Sequence, residues 1–183
     1  MSEEKKERWL NYLALTTVIF AVCATLSTFK GGGHSTKAVL SQTMASDQWA
    51  YYQSKSIKSY LYDLQKEKLE LELKGLGQKT PALMKEEYEK KIAGYAEKIK
   101  RYEGEKDKIQ ADAKALENKR DEAQKHQQAF GVAVIFLQIA ILLSSVSALL
   151  KKKPLWLVSL LAGVAGLVYF ANGFFLFICQ CNH

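Results

Sequence analysis

The chain has 183 residues, 48% of them hydrophobic and 25% charged, with a formal net charge of +7. Those totals suit a globular protein, but the charge is unevenly spread: residues 10–29, 129–150 and 155–183 hold no Lys, Arg, Asp or Glu. About twenty apolar residues cover a bilayer core, which argues against a wholly soluble fold. Nor does the positive balance indicate nucleic-acid binding, because residues 30–126 carry 20 Lys+Arg against 16 Asp+Glu with no basic stripe interleaved with aromatics.

In chain order, residues 1–9 are expected to form a charged cytoplasmic N-terminus, with Lys5, Lys6 and Arg8, and residues 10–29 a first transmembrane helix. That run is too long for the apolar core of a signal peptide, and Glu3, Glu4 and Glu7 stand where such a peptide carries only positive charge. A retained anchor is expected. Residues 30–36 read as a linker, since Gly31-Gly32-Gly33 offers no side chains to hold a helix. Residues 37–128 read as a helical hairpin with its turn at 75–80, where Gly75 and Gly77 stop one helix and Thr80-Pro81 starts the next.

The returning arm carries a ladder in steps of four and three: Tyr88, Ile92, Tyr95, Ile99, Tyr102, Lys106, Ile109, Ala113, Leu116, Arg120, Ala123 and Gln127. The same phase continues through Phe130, Val134, Leu137 and Ile141, inside the second apolar run at 129–150. A spacing averaging 3.5 residues is the seam of a left-handed coiled coil. On the outgoing arm Ile57, Leu61, Leu64, Lys68 and Leu71 recur at the same steps and are expected to zip against Tyr88–Tyr102. Towards the membrane that phase passes through Leu40, Thr43, Asp47, Ala50 and Ser54, which are mostly small or polar. So poorly apolar a seam implies further partners, most simply other copies of the chain.

Lys151-Lys152-Lys153-Pro154 is the short loop between the second and third spans, residues 151–154, and a third transmembrane helix follows at 155–178. Basic residues in short loops stay cytoplasmic, so the hairpin is expected outside, in the periplasm of a bacterium. The cluster Lys119, Arg120 and Lys125 weighs the other way. The predicted fold is all-α: three transmembrane helices, with a long antiparallel coiled-coil hairpin between spans 1 and 2 and the returning arm continuous with span 2.

The segment Trp49-Ala50-Tyr51-Tyr52-Gln53-Ser54-Lys55-Ser56-Ile57-Lys58 resembles one typical of an uncharacterised bacterial membrane-protein family, a domain of unknown function. That resemblance extends over essentially the whole chain and implies this topology, but no activity. Trp49, Tyr52, Ser56 and Tyr60, with Gln53 beside them, share one face and read as an inter-helix packing surface or as a ligand or headgroup pocket.

Candidate sites are few. Ser159, Gly163, Gly166 and Gly173 fall on one face of the third span, where small residues let helices approach closely. Gln138 and Asn172 are polar within the spans and read as inter-helix contacts or as pore lining. His34, His126, Cys179, Cys181 and His183 gather at one membrane face in the predicted topology. Imidazoles and thiolates suit zinc or copper(I), while a frayed tail or an oxidised cysteine pair is the plainer alternative. No phosphate loop or nucleophile elbow occurs, so no catalytic residues, cofactor or small-molecule substrate are assigned. The sequence reading is a self-assembling, membrane-anchored scaffold in contact with the lipid bilayer, with an oligomeric channel or transport accessory as the alternative.

Overall fold

The computed structural model describes residues 2–75 and 81–178, with side chains from residue 8 onward. These residues form three helices: α1 (Ser2–Gly75), α2 (Ala82–Leu150) and α3 (Lys153–Phe175). Each is long and apolar enough to cross a membrane. The chain divides into two compact units, the first made of Met1–Leu40 and Lys119–His183, the second of Ser41–Asn118.

In the first unit α1, α2 and α3 pack around Phe20, Ala24, Leu137 and Ala140, with Cys23, Ile141, Leu160 and Leu167 against them. The interlock is large side chains over glycines. Phe20 sits on Gly163, Leu137 on Gly166, and Phe130 between Gly31 and Gly173. Lipid tails are as apolar as leucine, so helices in a bilayer gain from close contact more than from escaping solvent, and small residues supply it. The hydroxyls of the first span are satisfied locally: Thr17, Thr25, Ser27 and Thr28 each donate to the carbonyl four residues earlier, at 2.8–3.0 Å. The deeply buried Ser144 and Ser159 hydroxyls bond to each other at 2.9 Å, joining α2 to α3.

One expectation is corrected here. Residues 30–36 are not a flexible linker; α1 continues through Gly31-Gly32-Gly33 without a break. Glycine inside a helix costs roughly 1 kcal/mol relative to alanine, but tertiary packing overrides propensity. Gly31 faces the Phe130 side chain so closely that a Cβ would lie 3.2 Å from Phe130 Cβ. The adjoining ladder positions Ser27, His34 and Ala38 are buried or half-buried.

The ends of α3 also differ slightly from expectation. The helix begins at Lys153, with Pro154 in the first turn, after Lys151 takes a left-handed conformation at φ 52°. It closes at Phe175 rather than 178, because Asn172 collects the chain that follows. The Leu176 N–H donates to the Asn172 carbonyl at 2.8 Å, and the Ile178 N–H to Asn172 Oδ1 at 2.7 Å. The first satisfies a carbonyl that the helix end would otherwise leave unpaired, and the second pairs a backbone N–H beyond the helix.

The second unit is an antiparallel helix pair. Partners descend along α2 as they ascend along α1: Trp49 meets Glu117, Lys55 meets Glu105, Ser59 meets Glu103, and Tyr62 meets Tyr95 and Tyr102. On α2 the ladder from Tyr88 to Leu116 is buried or half-buried at every step, with Tyr102, Ile109 and Ala113 deepest. On α1 the face turned inward is Ser41, Ala45, Gln48, Tyr52, Lys55, Ser59, Tyr62, Lys66, Leu69 and Leu73, again in steps of four and three.

That ladder is not the predicted one. Ile57, Leu61, Leu64 and Leu71 are 60%, 54%, 62% and 68% exposed, so they do not zip against Tyr88–Tyr102. Leu40 is likewise exposed, as are Thr43, Asp47 and Ala50. Apolarity alone chose the wrong face, because the α2 seam presents tyrosines, carboxylates and Lys106, which need aromatic and hydrogen-bonding partners.

The glycine contacts generate a test. A methyl group on Gly166 would lie 2.7 Å from Leu137 Cγ and 3.1 Å from the Leu137 backbone nitrogen, which cannot move aside. Gly166→Ala is expected to destabilise the helix bundle by about 1–3 kcal/mol. Gly32→Ala meets nothing within 4 Å and should be neutral or stabilising by up to about 1 kcal/mol. Thermal unfolding in mild detergent, followed by circular dichroism, compares the two; equal effects would contradict the packing described.

Candidate functional site

Two groups of polar side chains concentrate the chemistry, one in each unit. In the second unit the seam is a chain of aromatic rings and ion pairs. Trp49 Nε1 donates to Glu117 Oε1 at 2.9 Å, and its ring meets the edge of Tyr52. Lys106 lies 5.4 Å from the Tyr52 ring centre and donates to both Glu103 carboxylate oxygens, at 3.0 and 2.9 Å. The Ser59 hydroxyl donates to the same carboxylate at 2.9 Å. Lys55 pairs with Glu105 and lies 5.2 Å from the Tyr51 and Tyr102 ring centres. Tyr62 stacks on Tyr102 at 5.9 Å and leans on Tyr95.

These contacts set the local charges. Hydrogen bonds from Lys106 and then Ser59 hold the Glu103 carboxyl below its usual range, and Lys55 does the same for Glu105. Lys106 and Lys55 are raised by the same bonds. These shifts favour the charged forms of both pairs, Lys106 with Glu103 and Lys55 with Glu105. The seam holds the two helices together. Of the aromatic-rich face, Trp49 and Tyr52 turn towards α2 and Ser56 is half-buried, whereas Gln53 and Tyr60 are exposed.

In the first unit His34 of α1 and His126 of α2 stack with ring centres 4.6 Å apart. Phe130 lies beside His34 and is boxed by Phe170 and Phe174 of α3. His126 Nδ1 is 2.8 Å from the Gly173 carbonyl. A carbonyl only accepts, so Nδ1 carries the proton, and the bond ties α2 to the end of α3. His34 Nδ1 is buried with no hydrogen-bond partner, as is Asn172 Nδ2.

Of the five residues read as metal ligands, the structure brings His34 and His126 together; Cys179, Cys181 and His183 lie outside the described residues. Among the described residues no group of three or more metal-ligand side chains occurs. The stacked rings, 20° from parallel, send their in-plane lone pairs side by side rather than to one point. A shared metal requires one ring to turn and the tail to supply the remaining ligands.

The other singled-out residues are placed as follows. Ser159, Gly163, Gly166 and Gly173 are buried in α3. Asn172 is fully buried and serves the helix end, so it does not line an open path. Gln138 is exposed on α2. Reading the sequence missed Ser59, Lys55 and Tyr62 as seam residues. The available signal was their own 3.5-residue spacing with Ser41, Ala45 and Tyr52.

Acidification should loosen the first unit. Burial, then the proximity of His126, Lys37 and Lys30, lowers the His34 pKa below its ordinary 6.5, with Glu122 opposing. A histidine that resists protonation when folded contributes stability that is complete above about pH 6.5 and is lost as pH falls through the lowered value. Glu103 and Glu105 act in the same direction only at lower pH, below the carboxylate's usual 4.5. Thermal stability of the full chain is expected to fall as the pH is lowered through the ordinary histidine value of 6.5 and below, and His34→Gln should flatten that drop. An unchanged slope in His34→Gln would assign it elsewhere.

Comparison with known proteins gives one relationship. The family described as DUF4337, domain of unknown function, matches residues 9–176. No curated protein and no solved structure matches the chain.

Proposed function

Since the chain belongs to the DUF4337 family, which carries no assigned activity, we propose from the geometry that it is a self-assembling, membrane-anchored scaffold whose partner is a second copy. One observation carries this reading. Ile57, Leu61, Leu64 and Leu71, each more than half exposed, repeat every four and three residues along a helix whose opposite face is already occupied by α2. Lys68 interrupts the stripe at 75% side-chain exposure, as a single polar core position does in a coiled coil that must choose its register.

Two copies inserted the same way in one membrane run their α1 helices in the same direction. A two-fold axis then sets like positions of the stripe against each other, and burying each large aliphatic side chain contributes about 1.5–3 kcal/mol. Gln138, exposed within the apolar part of α2, supports a further inter-chain contact, because an amide facing lipid gains by pairing. The exposed Lys151-Lys152-Lys153 turn supports placing the hairpin outside the cytoplasm, in the periplasm of a bacterium with the spans in its inner membrane. The reading assigns no catalysis.

In a cysteine-free background, Leu64→Cys is expected to form a disulfide between copies in native membranes, whereas Lys66→Cys on the intramolecular seam should not. Leu61→Asp should yield a monomer in mild detergent while keeping its helicity, since the residue is exposed within one chain. A monomeric mass for the unmodified protein would overturn the proposal.

A further inference from the structure

At the end of the first span α1 carries a basic notch. Lys30, His34 and Lys37 recur at steps of four and three, and Gly32 and Gly33 leave a hollow between them with nothing within 4 Å of where their side chains would begin. Neither lysine makes an ion pair among the described residues, and their charges push against protonation of His34. The two lysines thus place positive charge where the charge-free run stops at Phe29, with the Glu122 carboxylate the opposing charge near His34. Roughly one to three turns deeper the same helix bears a second groove, lined by Val18, Ala21, Val22, Thr25 and Leu26 and almost wholly apolar. Phe29, 76% exposed, stands between the two.

A cationic notch beside the headgroup layer, continuous along one helix with an apolar groove at acyl-chain depth, is complementary to one chemical class. We propose that this face of α1 binds an anionic phospholipid, with the phosphate held between Lys30 and Lys37 and an acyl chain lying along Val22 and Leu26. The two lysines are seven residues apart, about 10 Å along the axis. Each ammonium, on a flexible four-carbon stem, reaches a phosphate midway over the glycines. The missing side chains at Gly32 and Gly33 let the headgroup approach the backbone. This also gives those two glycines a purpose, since a side chain begun on either would meet nothing within 4 Å, unlike one on Gly31. The site requires no particular orientation of the hairpin and does not depend on self-assembly.

The full-length protein, extracted in mild detergent from membranes containing phosphatidylglycerol and phosphatidylcholine, is weighed intact with its retained lipids. The unmodified chain is expected to retain phosphatidylglycerol selectively. Lys30→Gln with Lys37→Gln should weaken that retention by roughly tenfold or more, each lysine contributing through its charge near the phosphate. Lys30→Arg with Lys37→Arg should keep it, which separates charge from folding. Gly33→Leu, which fills the hollow, and Leu26→Ala, which thins the acyl contact, should each weaken it in protein of unchanged helicity. Inorganic phosphate and glycerol 3-phosphate are the competing probes. If either displaces the lipid at comparable concentration, the site takes a free anion and the lipid proposal fails. Equal retention of the two lipids, or loss of neither in the double glutamine variant, overturns it as well.

Discussion

Polar side chains on a helix seam must find partners, and that demand sets how the second unit is built. The α2 seam offers Glu103, Lys106 and a run of tyrosines. An unpaired charge held between helices costs several kcal/mol, part of which a hydrogen-bonded partner of opposite charge offsets. The face of α1 that satisfies those groups carries Trp49, Lys55, Ser59 and Tyr62, so that face turns inward. The consequence appears on the other side of the same helix. With the polar and aromatic face consumed, Ile57, Leu61, Leu64 and Leu71 are left outside. The apolar stripe is exposed because the pairing inside is specific, and the proposed self-assembly follows from that single rotation of α1.

The first unit obeys a different constraint. In hydrocarbon there is little to gain from hiding one apolar side chain against another, so contact must come from fit. Phe20, Leu137 and Phe130 each find a glycine, and the serines and threonines bond to carbonyls or to each other. At the aqueous end the packing becomes polar again. The His126 Nδ1–H donates a hydrogen bond to the Gly173 carbonyl, and Asn172 gathers the backbone beyond α3. That end is also where the two histidines stack and where the notch of Lys30 and Lys37 opens.

Much of the fold is legible in the sequence. Charge-free runs of twenty residues or more leave few alternatives to three spans, and the ladder from Tyr88 fixes the inner face of α2 because one 3.5-residue phase holds throughout. Two things were hidden. Gly31-Gly32-Gly33 reads as a break because propensity is local, whereas the helix is held by Phe130, ninety-nine positions away. The inner face of α1 was hidden because two ladders of the same period coexist on that helix. Apolarity favours Ile57, Leu61 and Leu64, and only knowledge of what α2 presents favours Ser59 and Tyr62. Of the candidate sites, the proximity of His34 and His126 follows from the topology. Asn172 as a helix-end residue does not, since it depends on a turn at Leu176 that no residue type announces.

The face of α1 that meets α2 is most directly tested by thiol cross-linking within one chain. Ser59→Cys with Glu103→Cys, and separately Leu61→Cys with Glu103→Cys, are made in a cysteine-free background and treated with a short bifunctional maleimide. Products are sorted by mass into linked monomers and linked dimers. The first pair is expected to link within a single chain and the second not. A linked monomer from Leu61→Cys, with none from Ser59→Cys, would place the apolar stripe inside and contradict the account.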